Sequence, residues 1–315
     1  MREKICYRPF LKGSQVMLTG IHVLITYQCT SECDHCFREC GPQREGTFTL
    51  SQLRELLQEI KRIKTVDTVY FEGGEPFLFY AVLLAGLRMV RDAGFHAGIV
   101  TNGYWATSLE DAEYWLRPLL DLGIADFSVS DDEFHSTKGD ESPGATAYRA
   151  AREVGLPCGK VCIDSPIGVP LCDSGGGKGQ LVTGGGVLFK GRAAEKLTAG
   201  LPVRPWRELT TCPHEELAHP ERVHVDSYGN VQVCQGVSIG NMWRTPLSEL
   251  VRTYDAAKHP VVGPLVEGGP AQLVERFGLN VADAYVDECH LCYMARKSLL
   301  PAFPQYLAPA QVYGL

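Results

Sequence analysis

The sequence lacks the features that would place a protein in or across a membrane. Its first ten residues contain no apolar core of the length that a signal peptide needs. No apolar run elsewhere approaches the roughly 18 residues that a membrane-spanning helix requires. We therefore expect a cytoplasmic protein without a membrane partner.

An excess of positive charge is also missing. The 315 residues include 30 lysines and arginines against 37 aspartates and glutamates, which gives a formal net charge of −7. A nucleic-acid-binding domain normally presents a strongly basic face, so this balance argues against nucleic acid as a partner. The glycine-rich stretch at 165–186 lacks the G-x4-G-K-[ST] pattern of a phosphate-binding loop. It is predicted to be a mobile connection or a lid.

Cysteine, in contrast, is abundant, with 12 in the chain. In a cytosolic protein, cysteines are more often metal ligands than disulfide partners. Cys29, Cys33 and Cys36 have the spacing C-x3-C-x2-C. Three thiolates on one short loop can hold three irons of a [4Fe–4S] cube and leave the fourth iron open. Zinc is the alternative, although zinc sites usually show two C-x2-C halves, and Cys40 is the one further cysteine nearby.

Strand and helix patterns alternate along the first 200 residues. Predicted strands lie at 20–26, 68–76, 96–103, 126–132, 158–164 and 187–190, and predicted helices at 50–63, 80–93, 109–122 and 146–154. This alternation predicts right-handed crossovers and a parallel sheet. Six strands are too few for a complete eight-stranded barrel.

The strands end in short polar motifs. These are Gly73-Gly74-Glu75-Pro76 after the second strand, Thr101-Asn102-Gly103 after the third and Ser128-Val129-Ser130-Asp131-Asp132 after the fourth. In barrels of parallel strands, the chemistry takes place at the carboxyl ends of the strands. The cysteine loop follows the first strand, so all of these motifs are expected on one edge of the sheet.

Taken together, the cysteine loop, Gly73–Pro76 and the polar strand ends resemble the radical S-adenosylmethionine (SAM) enzymes. The resemblance covers roughly residues 18–200. It implies a partial (β/α)6 TIM-like barrel in which Cys29, Cys33 and Cys36 hold a reducible [4Fe–4S] cluster. SAM would chelate the open iron, and its reductive cleavage would give a 5′-deoxyadenosyl radical that takes a hydrogen atom from the substrate. A flavodoxin or ferredoxin would supply the electron.

The resemblance also implies a set of SAM-binding residues. Glu75 would face the amino group of SAM, since a carboxylate suits an amine donor, and the preceding glycines would let the backbone approach the ligand closely. The full set of cofactor-binding candidates is Phe37, Gly73, Gly74, Glu75, Asn102, Ser128, Ser130 and Asp131.

A second cysteine set lies in the last third of the chain. Its members are Cys212, Cys234, Cys289 and Cys292. Taken alone, they suit a structural zinc ribbon as well as an iron–sulfur cluster. They resemble the twitch module, the short form of the SPASM domain, which implies one auxiliary [4Fe–4S] cluster acting as an electron relay. The predicted domains are therefore the barrel at 18–200, a small α+β twitch module at 201–300 and an extended surface tail at 301–315.

Substrate-handling residues are predicted from their positions after the strands. Asp132, Glu133 and His135 could include a base that takes a proton during an oxidation, and Cys162 could donate a hydrogen atom. Other candidates for substrate contacts are Tyr104, Trp105 and Arg192. The remaining cysteines, Cys6, Cys40, Cys158 and Cys172, are expected to be buried and inert.

Two classes of function compete. The resemblance favours a two-cluster enzyme that modifies a peptide or protein side chain by oxidation, crosslinking or epimerisation. Dehydrogenation of a small molecule such as an aminocyclitol is its enzymatic alternative. The other class is a non-catalytic zinc- or iron-binding scaffold. Gly73–Pro76 argues against a scaffold, which would have no use for a SAM amino-group site.

Overall fold

The computed structural model describes residues 18–135, 141–168, 182–183 and 186–315. Cys6, Cys172 and most of the glycine-rich stretch therefore lie outside the described residues. In the part of the chain that is described, no helix is both long enough and apolar enough to cross a bilayer.

The fold combines twelve strands with eight α-helices in the described residues. The strands are β1 (Gly20–Thr26), β2 (Thr68–Gly73), β3 (His96–Thr101), β4 (Asp126–Ser130), β5 (Cys158–Val161), β6 (Ile167–Gly168), β7 (Val182–Thr183), β8 (Arg204–Pro205), β9 (Arg222–Asp226), β10 (Asn230–Cys234), β11 (Val237–Asn241) and β12 (Ala284–Tyr285). The helices are α1 (Leu50–Ile60), α2 (Tyr80–Asp92), α3 (Leu109–Asp121), α4 (Pro143–Glu153), α5 (Arg192–Lys196), α6 (Leu247–Thr253), α7 (Val262–Phe277) and α8 (Glu288–Leu299).

One sheet of eight strands organises the molecule, in the order β11-β10-β9-β1-β2-β3-β4-β5. Strands β1 to β5 are parallel neighbours, and β9 adds a further parallel strand on the other side of β1. Strands β10 and β11 continue the sheet as antiparallel hairpins. The carboxyl ends of β1 to β5 therefore share one edge, as the alternation of strands and helices predicts.

The predicted helix starts are confirmed at two caps. Thr49 and Gln52 form the reciprocal capping box before α1, with the Gln52 amide donating to Thr49 Oγ1 at 3.2 Å and the Thr49 amide donating to Gln52 Oε1 at 2.9 Å. Before α3, Ser108 Oγ accepts from the Asp111 amide at 3.1 Å. These side chains satisfy amide groups that have no partner within the helix.

The two faces of the sheet differ in polarity. Phe71 on β2 is buried and lies against Gly86 of α2, so this face packs on the helices. On the opposite face, cross-strand pairing aligns His22 of β1 with Tyr70 of β2 and His224 of β9. Because successive strand residues point to opposite sides, a polar surface forms on the side away from the helices.

The expected sixth strand at 187–190 does not form. Val187 and Phe189 are instead buried in an irregular segment, in a small cluster that includes Val286. The alternation of buried and less buried side chains in this segment therefore results from packing against the C-terminal part of the chain. It does not result from pairing in a sheet.

Other element boundaries in the C-terminal half also need correction. The sequence pattern also predicts short helices at 245–257 and 270–277. The first is α6, which is shorter, and the second is the latter part of α7, which is interrupted at Gly268 and Gly269. The final residues are not an extended surface tail. Leu307, Val312 and Tyr313 are buried, and the last of them lies in a short 3-10 helix, because these apolar side chains fill the core.

A buried carboxylate holds the junction between β1 and the C-terminal hairpin. Asp226, at the end of β9, accepts from Tyr27 Oη at 3.0 Å, from the Asn230 amide at 2.9 Å and from Gln232 Nε2 at 3.0 Å. Burial raises the pKa of Asp226 to about 6, although these hydrogen bonds oppose the shift. The sheet thus crosses the predicted boundary at residue 200, and the two-domain division stays a prediction.

Replacing Asp226 by Ala should lower the free energy of unfolding by about 2–3 kcal/mol, because buried donors on both sides of the junction lose their acceptor. Urea titration of the purified protein measures this change. Asp121→Ala, at an exposed position at the end of α3, is the matched control and should change stability by less than about 0.5 kcal/mol. Equal losses in the two variants would show that the junction does not depend on Asp226.

Candidate metal and cofactor site

The first cysteine loop lies directly after β1 and forms part of a cavity wall. Cys29, Cys33 and Cys36 all line a cavity of about 1070 Å³. The loop is closed by backbone hydrogen bonds, from the Cys29 amide to the Gly41 carbonyl at 3.1 Å and from the Cys36 amide to the Cys33 carbonyl at 3.0 Å. The three thiols are free, so the loop presents three sulfur ligands to one cavity.

The electrostatic surroundings of these thiols differ. A hydrogen bond from Cys40 and the charge of Arg192 lower the pKa of Cys36 to about 5, although burial opposes the shift. Burial raises the pKa of Cys29 to about 12. A metal that binds here must therefore displace a proton from Cys29, whereas Cys36 favours the thiolate.

Arg192, at the start of α5, fixes the shape of the cysteine loop. Its Nε donates to the Cys33 carbonyl at 2.9 Å and its Nη2 to the Cys40 carbonyl at 2.6 Å. The preceding Gly191 has a φ of 54°, and a Cβ there would lie 2.6 Å from the Cys36 carbonyl oxygen. Arg192 also lines the cavity, so its predicted contact with the substrate stays a prediction.

The glycines of the Gly-Gly-Glu-Pro motif allow β2 to pack against the end of β1. A Cβ on Gly73 would lie 2.3 Å from the Thr26 carbonyl oxygen, and one on Gly74 would lie 2.1 Å from the Gln28 carbonyl oxygen. Both contacts are too short for any other residue without movement of the backbone. Both glycines also line the cavity, so the backbone of the motif is available to a ligand.

The Glu75 carboxylate is hydrogen-bonded to protein groups at the ends of two strands, and its contact with SAM stays a prediction. The side chain is fully buried and is not among the cavity-lining residues. Its Oε1 accepts from the Phe77 amide at 2.9 Å and from Thr101 Oγ1 at 2.8 Å, and its Oε2 accepts from the Asn102 amide at 2.7 Å. Burial raises the pKa of Glu75 to about 7 against these hydrogen bonds. The carboxylate thus joins the ends of β2 and β3.

The remaining cofactor-binding candidates separate into two groups. Asn102, Ser130 and Phe37 line the cavity, and Asn102 Nδ2 also donates to Thr30 Oγ1 at 3.1 Å beside the cysteine loop. In contrast, Ser128 Oγ donates to Asp126 at 2.8 Å, and Asp131 forms an ion pair with Lys160 at 2.5 Å. The last two side chains are therefore occupied by protein groups.

Among the predicted proton acceptors, His135 is the one that lines the cavity. Its Nδ1 lies 2.8 Å from Asp132 Oδ1. Burial would lower the pKa of His135, but Asp132 and Cys33 raise it to about 10. Glu133 accepts from the Ser165 amide at 2.6 Å and is exposed.

Three further substrate candidates lie away from the described cavity wall. The Cys162 thiol is exposed and donates to the Asp131 carbonyl at 3.0 Å. Trp105 is buried, stacks on Phe77 at 4.5 Å between ring centroids and donates to Thr101 at 3.1 Å. Trp105 is thus anchored in the core by its neighbours, and its contact with the substrate stays a prediction. Tyr104 is half-buried and does not line the cavity.

Residues next to the second cysteine set line the same cavity. Cys234 lies at the end of β10, and Cys289 and Cys292 lie on the first turns of α8. His214, Asp287 and Glu288, which neighbour these cysteines in sequence, line the cavity together with the first cysteine loop. The Lys190 amino group lies 3.3 Å from the Cys234 sulfur. The cavity is thus bordered by the first cysteine loop itself and by the sequence neighbours of the second set.

The distances between potential ligand atoms help to distinguish a site for a single zinc ion from a site for an iron–sulfur cluster. In the described residues, the groups of three ligand atoms within 4.8 Å of one another are His22–Glu72–His224, His35–Asp132–His135 and His214–Asp287–Cys289. None of these groups contains three cysteines. A single tetrahedral zinc would hold its sulfurs about 3.8 Å apart, given Zn–S bonds of about 2.3 Å. In each cysteine set, any three of the sulfurs therefore include at least one pair more than 4.8 Å apart.

Sequence reasoning missed a polar cluster on the cavity wall. Glu72 Oε1 lies 2.7 Å from Arg38 Nη2 and 3.3 Å from both His22 Nδ1 and His224 Nε2. All four residues line the cavity. The signal that could have revealed the strand members was the alternation of polar residues with buried apolar residues in β1, β2 and β9.

Comparisons with known proteins agree with this arrangement. Residues 23–170 match the sequence model of the Radical SAM superfamily. Over 116 residues the chain is 25% identical to YydG of Bacillus subtilis (strain 168), which is named for peptide biosynthesis; the match covers 37% of this chain and 36% of YydG. Over 87 residues it is 31% identical to an S-adenosylmethionine-dependent nucleotide dehydratase of Selenomonas ruminantium, covering 28% and 31% of the two chains. The chain thus spans about a third of the length of these curated relatives.

A likeness to a solved structure supports the fold. The crystal structure of BtrN in complex with AdoMet and 2-DOIA superimposes with a TM-score of 0.51 and 17% sequence identity, over 80% of this chain and 87% of that chain. The parallel sheet is thus that of a partial TIM-like barrel. Residues 23–170, which include the cysteine loop at the end of β1, thus carry the sequence features of a radical SAM domain.

Proposed function

We propose that this chain cleaves SAM reductively and removes a hydrogen atom from a substrate held in the cavity between the two cysteine sets. The observation that carries the proposal is that one cavity is lined by the C-x3-C-x2-C loop, by the Gly73–Gly74 backbone and by residues beside the second cysteine set. A metal-binding scaffold would not need a cavity of this size next to its ligands.

The first cysteine loop fits a [4Fe–4S] cluster. Cys29, Cys33 and Cys36 are free thiols, their sulfurs are more widely spaced than a single zinc would hold them, and Arg192 holds the loop carbonyls. When bound, the cluster supplies the electron for cleavage of SAM. The cavity borders the cysteine loop on one side, so a further ligand can reach the metal from that side.

The chain also offers groups that can position SAM. Several groups that line the cavity are suited to hydrogen bonds with a polar ligand. They are the backbone at Gly73 and Gly74, the amide of Asn102 and the hydroxyl of Ser130. Phe37 supplies an aromatic surface next to the cysteine loop, which suits an adenine ring. Glu75 would act on SAM indirectly, by fixing Asn102 through its amide.

We further propose that Cys212, Cys234, Cys289 and Cys292 hold an auxiliary [4Fe–4S] cluster that relays electrons. Four free thiols in one region provide full protein ligation. Their wide spacing is the argument against a cysteine-only zinc site. Zinc bound by His214, Asp287 and Cys289 is the alternative, and metal analysis separates the two.

A peptide or protein side chain is the substrate class that we favour. The cavity of about 1070 Å³ is at the upper end of the usual range for small-molecule sites, so it can hold SAM and part of a peptide. The similarity to YydG, named for peptide biosynthesis, is in line with this choice. A flavodoxin or ferredoxin is the proposed electron donor.

Dehydrogenation of a small polar molecule is the second candidate. The fold likeness to BtrN, solved with AdoMet and 2-DOIA, and the polar cluster around Glu72 favour it. The two candidates differ in what stimulates 5′-deoxyadenosine formation under reducing conditions. Stimulation by candidate peptides, and not by aminocyclitols, is expected on the first proposal, and the reverse on the second.

Replacing Cys29, Cys33 and Cys36 together by Ala should reduce the iron content from about eight to about four atoms per chain and abolish 5′-deoxyadenosine formation. The cluster that binds SAM is lost, whereas the second cysteine set is untouched. Anaerobic reconstitution, iron analysis and chromatography of the dithionite reaction measure both effects. Cys158→Ala, outside both sets, is the control; cleavage of SAM by the triple variant would refute the assignment of the loop.

Replacing Cys289 and Cys292 together by Ala should remove about four irons and stop product formation, yet leave uncoupled cleavage of SAM. The reason is that the cavity-facing open iron belongs to the first loop and not to the second set. Iron analysis and separate quantification of 5′-deoxyadenosine and product provide the readout. Normal iron content and normal turnover in this variant would rule out the auxiliary cluster, as would stoichiometric zinc in the wild-type protein.

A further inference from the structure

Lys190 is a buried cation, and neither of its hydrogen-bond acceptors is a carboxylate. The residue is 3% exposed to solvent. Its Nζ donates to the Cys234 sulfur at 3.3 Å and to Gln235 Oε1 at 3.3 Å. In the described part of the chain, none of the ion pairs within 4.0 Å involves Lys190.

Arg296 is a second buried cation beside the same cysteines. It is 1% exposed. Its guanidinium donates to the Cys292 carbonyl at 3.3 Å, to the Gln235 carbonyl at 2.8 Å and to Tyr313 Oη at 3.1 Å. All three acceptors are neutral oxygens, so Arg296 also has no carboxylate partner among the described ion pairs.

Two buried cations without carboxylate partners need another source of negative charge. Removing an ammonium or a guanidinium from water is costly unless an opposite charge lies nearby. Glu215 and Asp287 interact with Lys190 at longer range, whereas the Cys234 sulfur contacts it directly and becomes negatively charged once metal binding deprotonates the thiol. Metal-bound thiolates would thus balance the positive charges of Lys190 and Arg296, whereas four neutral thiols would leave these charges unbalanced.

Positive charge near such a cluster affects its two oxidation states unequally. The reduced state of a one-electron couple carries one more negative charge than the oxidised state, and a nearby cation stabilises it more in a poorly solvated site. Net charge and hydrogen bonds to sulfur are known determinants of iron–sulfur reduction potentials. Lys190 provides both, because its ammonium is charged and donates directly to a ligand sulfur.

We propose that Lys190 is a positioning residue that raises the reduction potential of the auxiliary cluster and so makes that cluster an electron acceptor. The inference rests on the proposed auxiliary cluster. Lys190 acts through Cys234 and does not contact the substrate. Arg296 adds to the same effect from the α8 side.

The position of Lys190 is fixed by its neighbours in sequence. Gly191 packs against the Cys36 carbonyl, and Arg192 binds the carbonyls of Cys33 and Cys40. The three consecutive residues 190–192 therefore contact both cysteine sets. This attachment to the first loop keeps the ammonium from moving away from Cys234 when the charge of the second site changes.

The test is the midpoint potential of the auxiliary cluster, followed by EPR during an anaerobic redox titration of the fully reconstituted protein. Lys190→Met removes the charge and the donor, and Lys190→Gln removes the charge but keeps an N–H donor. Both should shift the potential to more negative values, with the larger shift for Met. Lys190→Arg should restore most of the wild-type value. Lys297→Met, on α8 but paired with Glu195, should leave the potential unchanged.

The outcomes separate this inference from the proposed function. A wild-type protein with about four irons and no second cluster would overturn the proposed function itself. Eight irons with unchanged potentials in the Met and Gln variants would overturn the role of Lys190 alone. Loss of the second cluster in both variants would also overturn it, since Lys190 would then be needed for assembly and not for the potential.

Discussion

The close packing of the Gly73–Gly74 backbone against the end of β1 is the constraint on which the site depends. It leaves no room for a side chain at either position. It also places Glu75 where its two carboxylate oxygens bind the end of β3. As a result, the cysteine loop, the glycine backbone and Asn102 meet at one edge of the sheet. The loop is then closed from the other side by Arg192, so the first cysteine set is held by contacts from β2, β3 and α5.

The sequence alone was sufficient for the features that depend on local patterns. The C-x3-C-x2-C spacing and the alternation of predicted strands and helices both depend on residues that are close together in the chain. They predicted the parallel sheet and the edge at which its motifs gather. The second cysteine set was also recognised, although its choice of metal was not determined by spacing.

The features that were missed depend on contacts between distant residues. Pairing of β9 with β1 brings His224 next to His22, which are 202 positions apart, and completes the cluster around Glu72. Lys190 looked like part of a sixth strand, because burial against the C-terminal part of the chain produces the same alternation as a strand. Glu75 and Trp105 are buried and hydrogen-bonded to neighbouring protein groups, which their positions after the strands did not indicate. The alternation of polar residues in the strands hints at the cluster around Glu72, but the pairing that completes it cannot be predicted from a single sequence.

The central claim is that the chain holds two cubes of different accessibility, one open to SAM and one fully bound by protein. Mössbauer spectroscopy of the wild-type protein, reconstituted anaerobically with ⁵⁷Fe, tests it most directly. The account predicts about eight irons in two [4Fe–4S] clusters, with a distinct signal from one iron of one cluster that changes when SAM is added. A spectrum from a single cluster together with one equivalent of zinc, or two clusters that both ignore SAM, would contradict it.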